Sequence, residues 1–172
     1  SSCNHSMQEW KEFHENGALS VEGVLLNEKP HGVWKTYYPN RNIRSSGEYN
    51  KGKKIGVWRQ WYENGQLLNE GLYENDQSDG RWKYWYDTGE LELIENYSDG
   101  KRNGLHTEFF KTGEISYSGN YSDGLEDGLW KKYYKNGRLS QEINFKESKA
   151  YGLEKTFYEN GLPMGEGRRL EG

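Results

Sequence analysis

Six glycines, at positions 32, 56, 80, 104, 128 and 152, stand 24 residues apart without drift. Each opens the same phrase: GVWKTYYPN, GVWRQWYENG, GRWKYWYDTG, GLHTEFFKTG, GLWKKYYKNG and GLEKTFYENG. A seventh, degenerate copy, QEWKEFHENG, begins at Gln8. Self-similarity at one period over nearly the whole chain requires a repeat architecture, in which each unit buries its apolar side chains against its neighbours. Stacks of this kind present extended surfaces, so the period favours binding over catalysis.

Only 32% of the residues are aliphatic or aromatic, a level that by itself suggests disorder. The aromatics overrule that reading, because they make up 15% of the chain and keep a fixed register. The 22 glycines recur at set places too, and so read as turns rather than as linker. The net charge of −4, with lysines and acids interleaved, argues against a nucleic-acid partner. No apolar run is long enough to span a membrane as a helix. The domain reading is a flexible tail over 1–7 and one repeat domain over 8–172.

Columns are numbered here from the opening glycine as first. The third is Trp in five copies, the sixth is aromatic in all seven, and the seventh is aromatic in six, with His14 the exception. The ninth and tenth read Asn-Gly in four copies and Thr-Gly in two. Asn-Gly between aromatic or branched segments predicts a two-residue hairpin of type I′. That turn sets the seventh column opposite the twelfth, the sixth opposite the thirteenth, the fourth opposite the fifteenth and the third opposite the sixteenth. Trp34 then covers Gly47 and Trp58 covers Gly71. The basic fourth column meets acids in Lys11–Glu22, Arg59–Glu70, Lys131–Glu142 and Lys155–Glu166, so it reads as cross-strand charge pairing rather than as a phosphate-binding stripe. Alternation places the third, seventh, twelfth, sixteenth and eighteenth columns on one better-buried face. Segments such as 50–55 and 98–103 read as polar loops between hairpins.

The expected fold is all-β, an elongated antiparallel meander of seven 24-residue hairpins with about fourteen strands, about 65–70 Å long. A sheet of that length must twist or curl. Arg41 stands where the turn glycine belongs, and Asn40-Arg41 is expected to need another turn type.

The pattern G-x-W-x-x-Y-Y-x-N-G-x-L…G-x-Y-x-x-G resembles the MORN repeat, in the variant found in bacterial proteins, over residues 8–172. The resemblance implies a hairpin array without intrinsic catalysis and without a cofactor. It implies a protein partner, in the manner of antitoxins and immunity proteins that neutralise a toxin or effector. The alternative it carries is a membrane-associated scaffold that binds lipid or envelope components. Fold transfers through such a resemblance more securely than function does.

The four histidines, His5, His14, His31 and His106, fall in different columns with no zinc-site spacing, so no metal is expected. No convergent acid, base and nucleophile marks a catalytic centre. Cys3, the single cysteine, has two readings: a terminal thiol without a role, or a lipidation site. Ser1-Ser2-Cys3 resembles the end of a bacterial lipoprotein signal, which places the protein in the envelope and tethers it to membrane through that anchor alone. Ser1 and Ser2 read equally as residues of a tag.

Acids collect between repeats, at Asp76, Asp79, Asp99, Asp123, Glu126 and Asp127, and form an expected acidic rim suited to a basic partner. Only Tyr84, Tyr117 and Tyr151 lie outside the aromatic columns. Tyr84 and Tyr117 are assigned to the Trp face in adjacent copies, with His106 replacing Trp between them and expected to open space there. The candidate contact site is therefore Tyr84, Trp85, His106, Tyr117, Asp99, Asp123, Glu126 and Asp127. The sequence sets no oligomeric state.

Overall fold

The computed structural model describes residues 6–169 of the chain; Cys3, with its two readings, lies outside the described residues. The strands are β1 (Met7–Phe13), β2 (Leu19–Leu26), β3 (Lys29–Tyr37), β4 (Ile43–Asn50), β5 (Lys53–Trp61), β6 (Leu67–Glu74), β7 (Gln77–Trp85) and β8 (Leu91–Ser98). They continue as β9 (Lys101–Arg102), β10 (Gly104–Phe109), β11 (Ile115–Ser122), β12 (Leu125–Tyr133), β13 (Leu139–Lys146), β14 (Lys149–Phe157) and β15 (Pro163–Arg169). All belong to one antiparallel sheet whose neighbours follow chain order from β1 to β15, so the sheet is an open meander. The fifteenth strand arises because a break at Asn103 divides one long strand into β9 and β10. Met7, counted above with the tail, already pairs with Leu26. The accessible surface of 11034 Å² exceeds the roughly 8,800 Å² of a compact monomer of this mass, as a single extended layer should.

The two kinds of turn are exchanged relative to the expectation. At the Asn-Gly end, Arg41 N–H donates to the Tyr38 carbonyl and Tyr38 N–H to the Asn42 carbonyl, and the other six copies repeat the pattern. This is a three-residue loop with one left-handed residue at the tenth column, not a type I′ turn. Arg41, at φ 73, adopts the turn of its glycine counterparts, so it requires no other type. The type I′ geometry occurs instead at the opposite end, where polar loops were expected. Asn27 and Glu28 (φ 49 and 64) and Asn75 and Asp76 (φ 50 and 73) are two of the six two-residue connections there.

The extra loop residue moves Tyr37 opposite Ile43, so the sixth column faces the twelfth. A bulge then restores the predicted pairing, and Lys35 faces Ser46 and Trp34 faces Gly47. The opening glycine is not a turn residue either. Gly32 (φ 68) lies within β3, where pairing with β2 skips between Glu22 and Val24.

Trp34 does not cover Gly47, although the two are Cα partners. A Cβ on Gly23 would lie 2.3 Å from the Trp34 ring, one on Gly47 2.0 Å from Trp58, one on Gly71 2.0 Å from Trp82 and one on Gly119 2.0 Å from Trp130. Each tryptophan thus lies flat on the sixteenth-column glycine of the preceding repeat, a contact only glycine permits. Trp34, Trp58 and Trp82 also donate Nε1–H to the carbonyls of Val24, Glu48 and Leu72, at 3.1, 3.2 and 3.2 Å. The eighteenth-column tyrosines fill the gaps edge-on: Trp34–Tyr49 5.9 Å, Tyr49–Trp58 5.0 Å, Trp58–Tyr73 6.1 Å and Tyr73–Trp82 5.1 Å. This ladder of rings is the core, and Trp58, Trp82 and Trp130 are buried in it.

The seventh and ninth columns bind one repeat to the next. Tyr38, Tyr62, Tyr86 and Tyr134 donate their hydroxyls to the carbonyls of Trp61, Trp85, Phe109 and Phe157. His14, the exception in that column, makes the same bond through Nε2 to the Tyr37 carbonyl at 2.9 Å. Asn16, Asn40, Asn64 and Asn136 donate Nδ2–H to the carbonyls of Pro39, Glu63, Asp87 and Glu159. At the ninth column asparagine is therefore used for its amide and not for positive φ. The charge columns interleave across repeats: Glu142 is the Cα partner of both Lys131 and Lys155, and its ion pair, at 3.2 Å, is with Lys155.

Candidate functional site

Glycine at the sixteenth column and tryptophan at the third of the next copy form a matched pair. The pair is replaced at two junctions, by Glu95 with His106 and by Ile143 with Glu154. The first replacement lies at the centre of the array, between β8 and β10. Glu95 is 3% exposed and His106 is 5% exposed. Glu95 Oε1 lies 3.2 Å from His106 Nδ1 and 3.0 Å from Arg102 Nε. Its Oε2 accepts the Tyr97 hydroxyl at 2.6 Å. On the other side of the imidazole, Nε2 lies 3.1 Å from Glu108 Oε1. Loss of the indole therefore opens no space here, because the Glu95 side chain, where the repeat has glycine, fills it.

The electrostatics follow from this packing. Burial alone would push the Glu95 carboxyl up, but His106, Tyr97 and Arg102 hold it below its ordinary value. Burial would likewise depress the His106 imidazole, but bonds to Glu108 and Glu95 raise it. Both ring nitrogens face carboxylates, Nδ1 that of Glu95 and Nε2 that of Glu108. The Tyr84 hydroxyl is pushed up by burial and by the neighbouring Tyr97, and burial carries Tyr117 up to about 12.

The other candidate residues surround this pair. Tyr84 stacks on Trp82 at 6.3 Å, and Tyr117 lies 6.3 Å from His106 and 4.8 Å from Trp130. The two tyrosines flank the buried pair on one face. Trp85, adjacent to Tyr84 in β7, points by alternation to the opposite face, where it is half-buried. Asp99 and Asp123 are exposed in neighbouring type I′ turns. Each is stitched to the strand that follows the preceding turn, with Gly100 N–H bonded to the Ser78 carbonyl of β7 and Gly124 N–H to the Arg102 carbonyl of β9. Glu126 and Asp127 follow on β12. Two of these acids are paired, Asp123 with Lys101 at 2.7 Å and Asp127 with Lys146 at 3.0 Å, which lowers the net charge of the rim. Among the described residues no group of three or more His, Cys, Asp or Glu side chains converges as a metal site, and no helix is long and apolar enough to cross a membrane.

Sequence reasoning missed one surface feature. The second column carries Val33, Val57, Leu105, Leu129 and Leu153, which are 59, 49, 53, 41 and 43% exposed, with Arg81 between Val57 and Leu105 and Glu9 in the first copy. By alternation they lie in a row on the face opposite the ring ladder. Their signal was present, as five apolar residues in one column with no assigned burial partner.

One layer of stacked hairpins, each dependent on its neighbours for a core, defines a repeat-based binding module. The chain belongs to the MORN repeat variant family, whose pattern matches residues 30–51, 54–75, 78–99 and 126–147, about half of its length. The central copy between the last two matches, which holds Asn103 and His106, is left unmatched. Among curated proteins no match to the chain is found.

Proposed function

We propose that this chain is a non-enzymatic protein-binding module acting as an antitoxin or immunity protein, and that it neutralises a toxin or effector by covering its working surface. The observation that carries the reading is the exposed apolar row Val33, Val57, Leu105, Leu129 and Leu153 on an open sheet, since monomers seldom leave ordered apolar rows in water without a use. The contact is centred on the middle repeats. Half-buried Trp85 supplies an anchor, and Asp99, Asp123, Glu126 and Asp127 attract a basic partner. Tyr84, Tyr117 and buried His106 shape the sheet beneath this surface. Complementary charge speeds association, and a few anchors over a standard-sized interface suffice for tight binding.

The test is co-purification from native lysate, followed by expression of the captured protein alone and together with this chain. A single stoichiometric partner that is toxic alone and harmless in company supports the reading, and Trp85→Ala with Leu105→Ser should weaken its capture. Recovery of lipid or envelope fragments without a protein, reproduced by co-sedimentation with vesicles, would replace it with the scaffold reading.

A further inference from the structure

On the face opposite the ring ladder, the second column runs beside the fourth, two residues and about 7 Å away along each strand. Fourth-column and fifteenth-column residues form one line across the sheet through their Cα pairings. At the centre that line reads Glu70, Lys83, Ile94, Thr107, Ser118, Lys131 and Glu142. Its two acids turn outward, Glu70 pairing with Arg59 at 3.1 Å and Glu142 with Lys155 at 3.2 Å. Lys83 and Lys131 are half-buried, and among the described residues neither forms an ion pair. Exposed Arg81, beside Lys83 in the second column, forms none either. The three residues between the lysines carry no charge. Asp79 and Glu92 lie toward the two turn ends, near the starts of β7 and β8. The result is a basic window about 19 Å wide, four strand spacings from Lys83 to Lys131. Leu105 and Leu129, 53 and 41% exposed, line its edge, and Leu153 continues their row.

The spacing of the row selects a shape. Second-column residues recur every second strand of the pairing order, about 9.6 Å apart. Seven residues of α-helix rise about 10.5 Å, so a helix inclined by about 24° to the row sets one residue of each heptad on each second-column position. Same-side residues of an extended segment recur about every 6.7 Å and fall out of step.

We propose that this face seats an acidic amphipathic α-helix of the protein partner. Its apolar heptad positions lie on Leu105, Leu129 and Leu153, and its carboxylates lie over Arg81, Lys83 and Lys131. The proposal rests on the reading of this face as a protein-binding surface and names the segment it receives. A second copy of this chain is the wrong occupant, because a two-fold contact centred here sets the basic window against itself. The acidic rim stands apart from the window, at the type I′ turns, so the partner meets the rim with bases and the window with acids.

The probe is a fluorescein-labelled, hydrocarbon-stapled helix of twenty-two residues. It carries leucine at positions 8, 15 and 22, glutamate at 1, 4, 11 and 18, and glutamine elsewhere. A twin has lysine at the four glutamate positions. In fluorescence anisotropy the wild type should bind the glutamate peptide about tenfold more tightly than its twin. Lys83→Glu with Lys131→Glu should invert that preference, and Leu105→Ser with Leu129→Ser should weaken binding of the glutamate peptide about tenfold. Circular dichroism checks the fold of each variant. If charge reversal unfolds the sheet, Lys83→Gln with Lys131→Gln replaces it and should abolish the preference. Equal affinity for the two peptides, binding of neither, or a preference that survives the change of charge overturns the proposal. So does a wild-type dimer in sedimentation that Leu105→Ser dissolves, which assigns the face to a second copy. The assay needs no natural partner, so the two readings fail separately. A captured toxin without peptide binding removes the helix site and leaves the antitoxin reading, and peptide binding without a toxin does the opposite.

Discussion

Restoring the repeat's own pair at the central junction is the sharpest test of how these strands are held together. In Glu95→Gly, His106 and Arg102 lose the carboxylate they share, and the imidazole stays buried beside Glu108 alone. In His106→Trp, an indole must enter a space where even a glycine Cβ would lie 2.0–2.3 Å from the ring at the equivalent junctions, and here a glutamate side chain occupies it. Removing one member of a buried pair costs about 3–5 kcal/mol, while replacing both by well-packed apolar groups is neutral or stabilising by about 1–4 kcal/mol. Each single variant should therefore lose stability and the double variant should regain all of it, with a coupling energy of several kcal/mol. For a chain of this size 1 kcal/mol moves Tm by about 2–4 °C, so each single should fall by roughly 6–20 °C and the double should match or exceed wild type.

The pH dependence gives an independent reading of the same variants. The folded-state pKa of His106 is raised, so its contribution is complete below the unfolded value of about 6.5 and is lost as pH rises through the folded value. The Glu95 pKa is lowered, so its contribution is present above the ordinary carboxylate value and is lost as pH falls through the depressed one. Wild-type Tm should peak between these limits, and the double variant should lack both slopes. Thermal and chemical denaturation of the four proteins across pH 3 to 9 measure both effects. Additive single variants, or a double variant that keeps the wild-type pH profile, would refute the reasoning.

Three further outcomes are expected. Arg41→Gly relieves a left-handed backbone position (φ 73) and should stabilise by about 1 kcal/mol in urea unfolding. Gly71→Ala drives a methyl to within 2.0 Å of the Trp82 ring and should destabilise by about 1–3 kcal/mol, with a change in near-ultraviolet circular dichroism as the indole is displaced. Phe110→Tyr supplies the hydroxyl that the seventh column lacks in that copy, and one new bond to the Tyr133 carbonyl should add about 1 kcal/mol to stability in the same assay.

The period carried the architecture openly, because a repeat cannot keep tryptophan, tyrosine and glycine in register unless they meet at every junction. What misled was the reading of each hairpin as a closed unit. Asn64-Gly65 suggests a two-residue turn locally, yet the loop takes Glu63 as a third residue and uses the Asn64 amide to hold the Asp87 carbonyl. Trp34 pairs with Gly47 through the backbone, yet its ring lies on Gly23, because the sheet brings the preceding strand under it. Paired across the junction, the sequence would have exposed the central site, since Glu95 and His106 depart from their columns together. Read within hairpins, His106 looked like a missing ring, and Glu95 drew no notice. Likewise His14 seemed degenerate until its nitrogen was found making the bond that tyrosine hydroxyls make elsewhere.

The break at Asn103 has a consequence for how the array comes apart. Each repeat contacts only its neighbours, so cooperativity across the chain equals that of its weakest junction. At the four junctions where tryptophan lies on glycine, dispersion between stacked rings sets the coupling, and that term is indifferent to protons. Between β8 and β10 the ladder shortens to Thr107–Ile94 and Glu108–Leu93, and a histidine–carboxylate contact replaces the indole. Alkaline conditions that neutralise His106 thus weaken the junction between β8 and β10. They divide a single melting unit into two, an amino-terminal block of four hairpins and a carboxy-terminal block of three, each able to fray without the other.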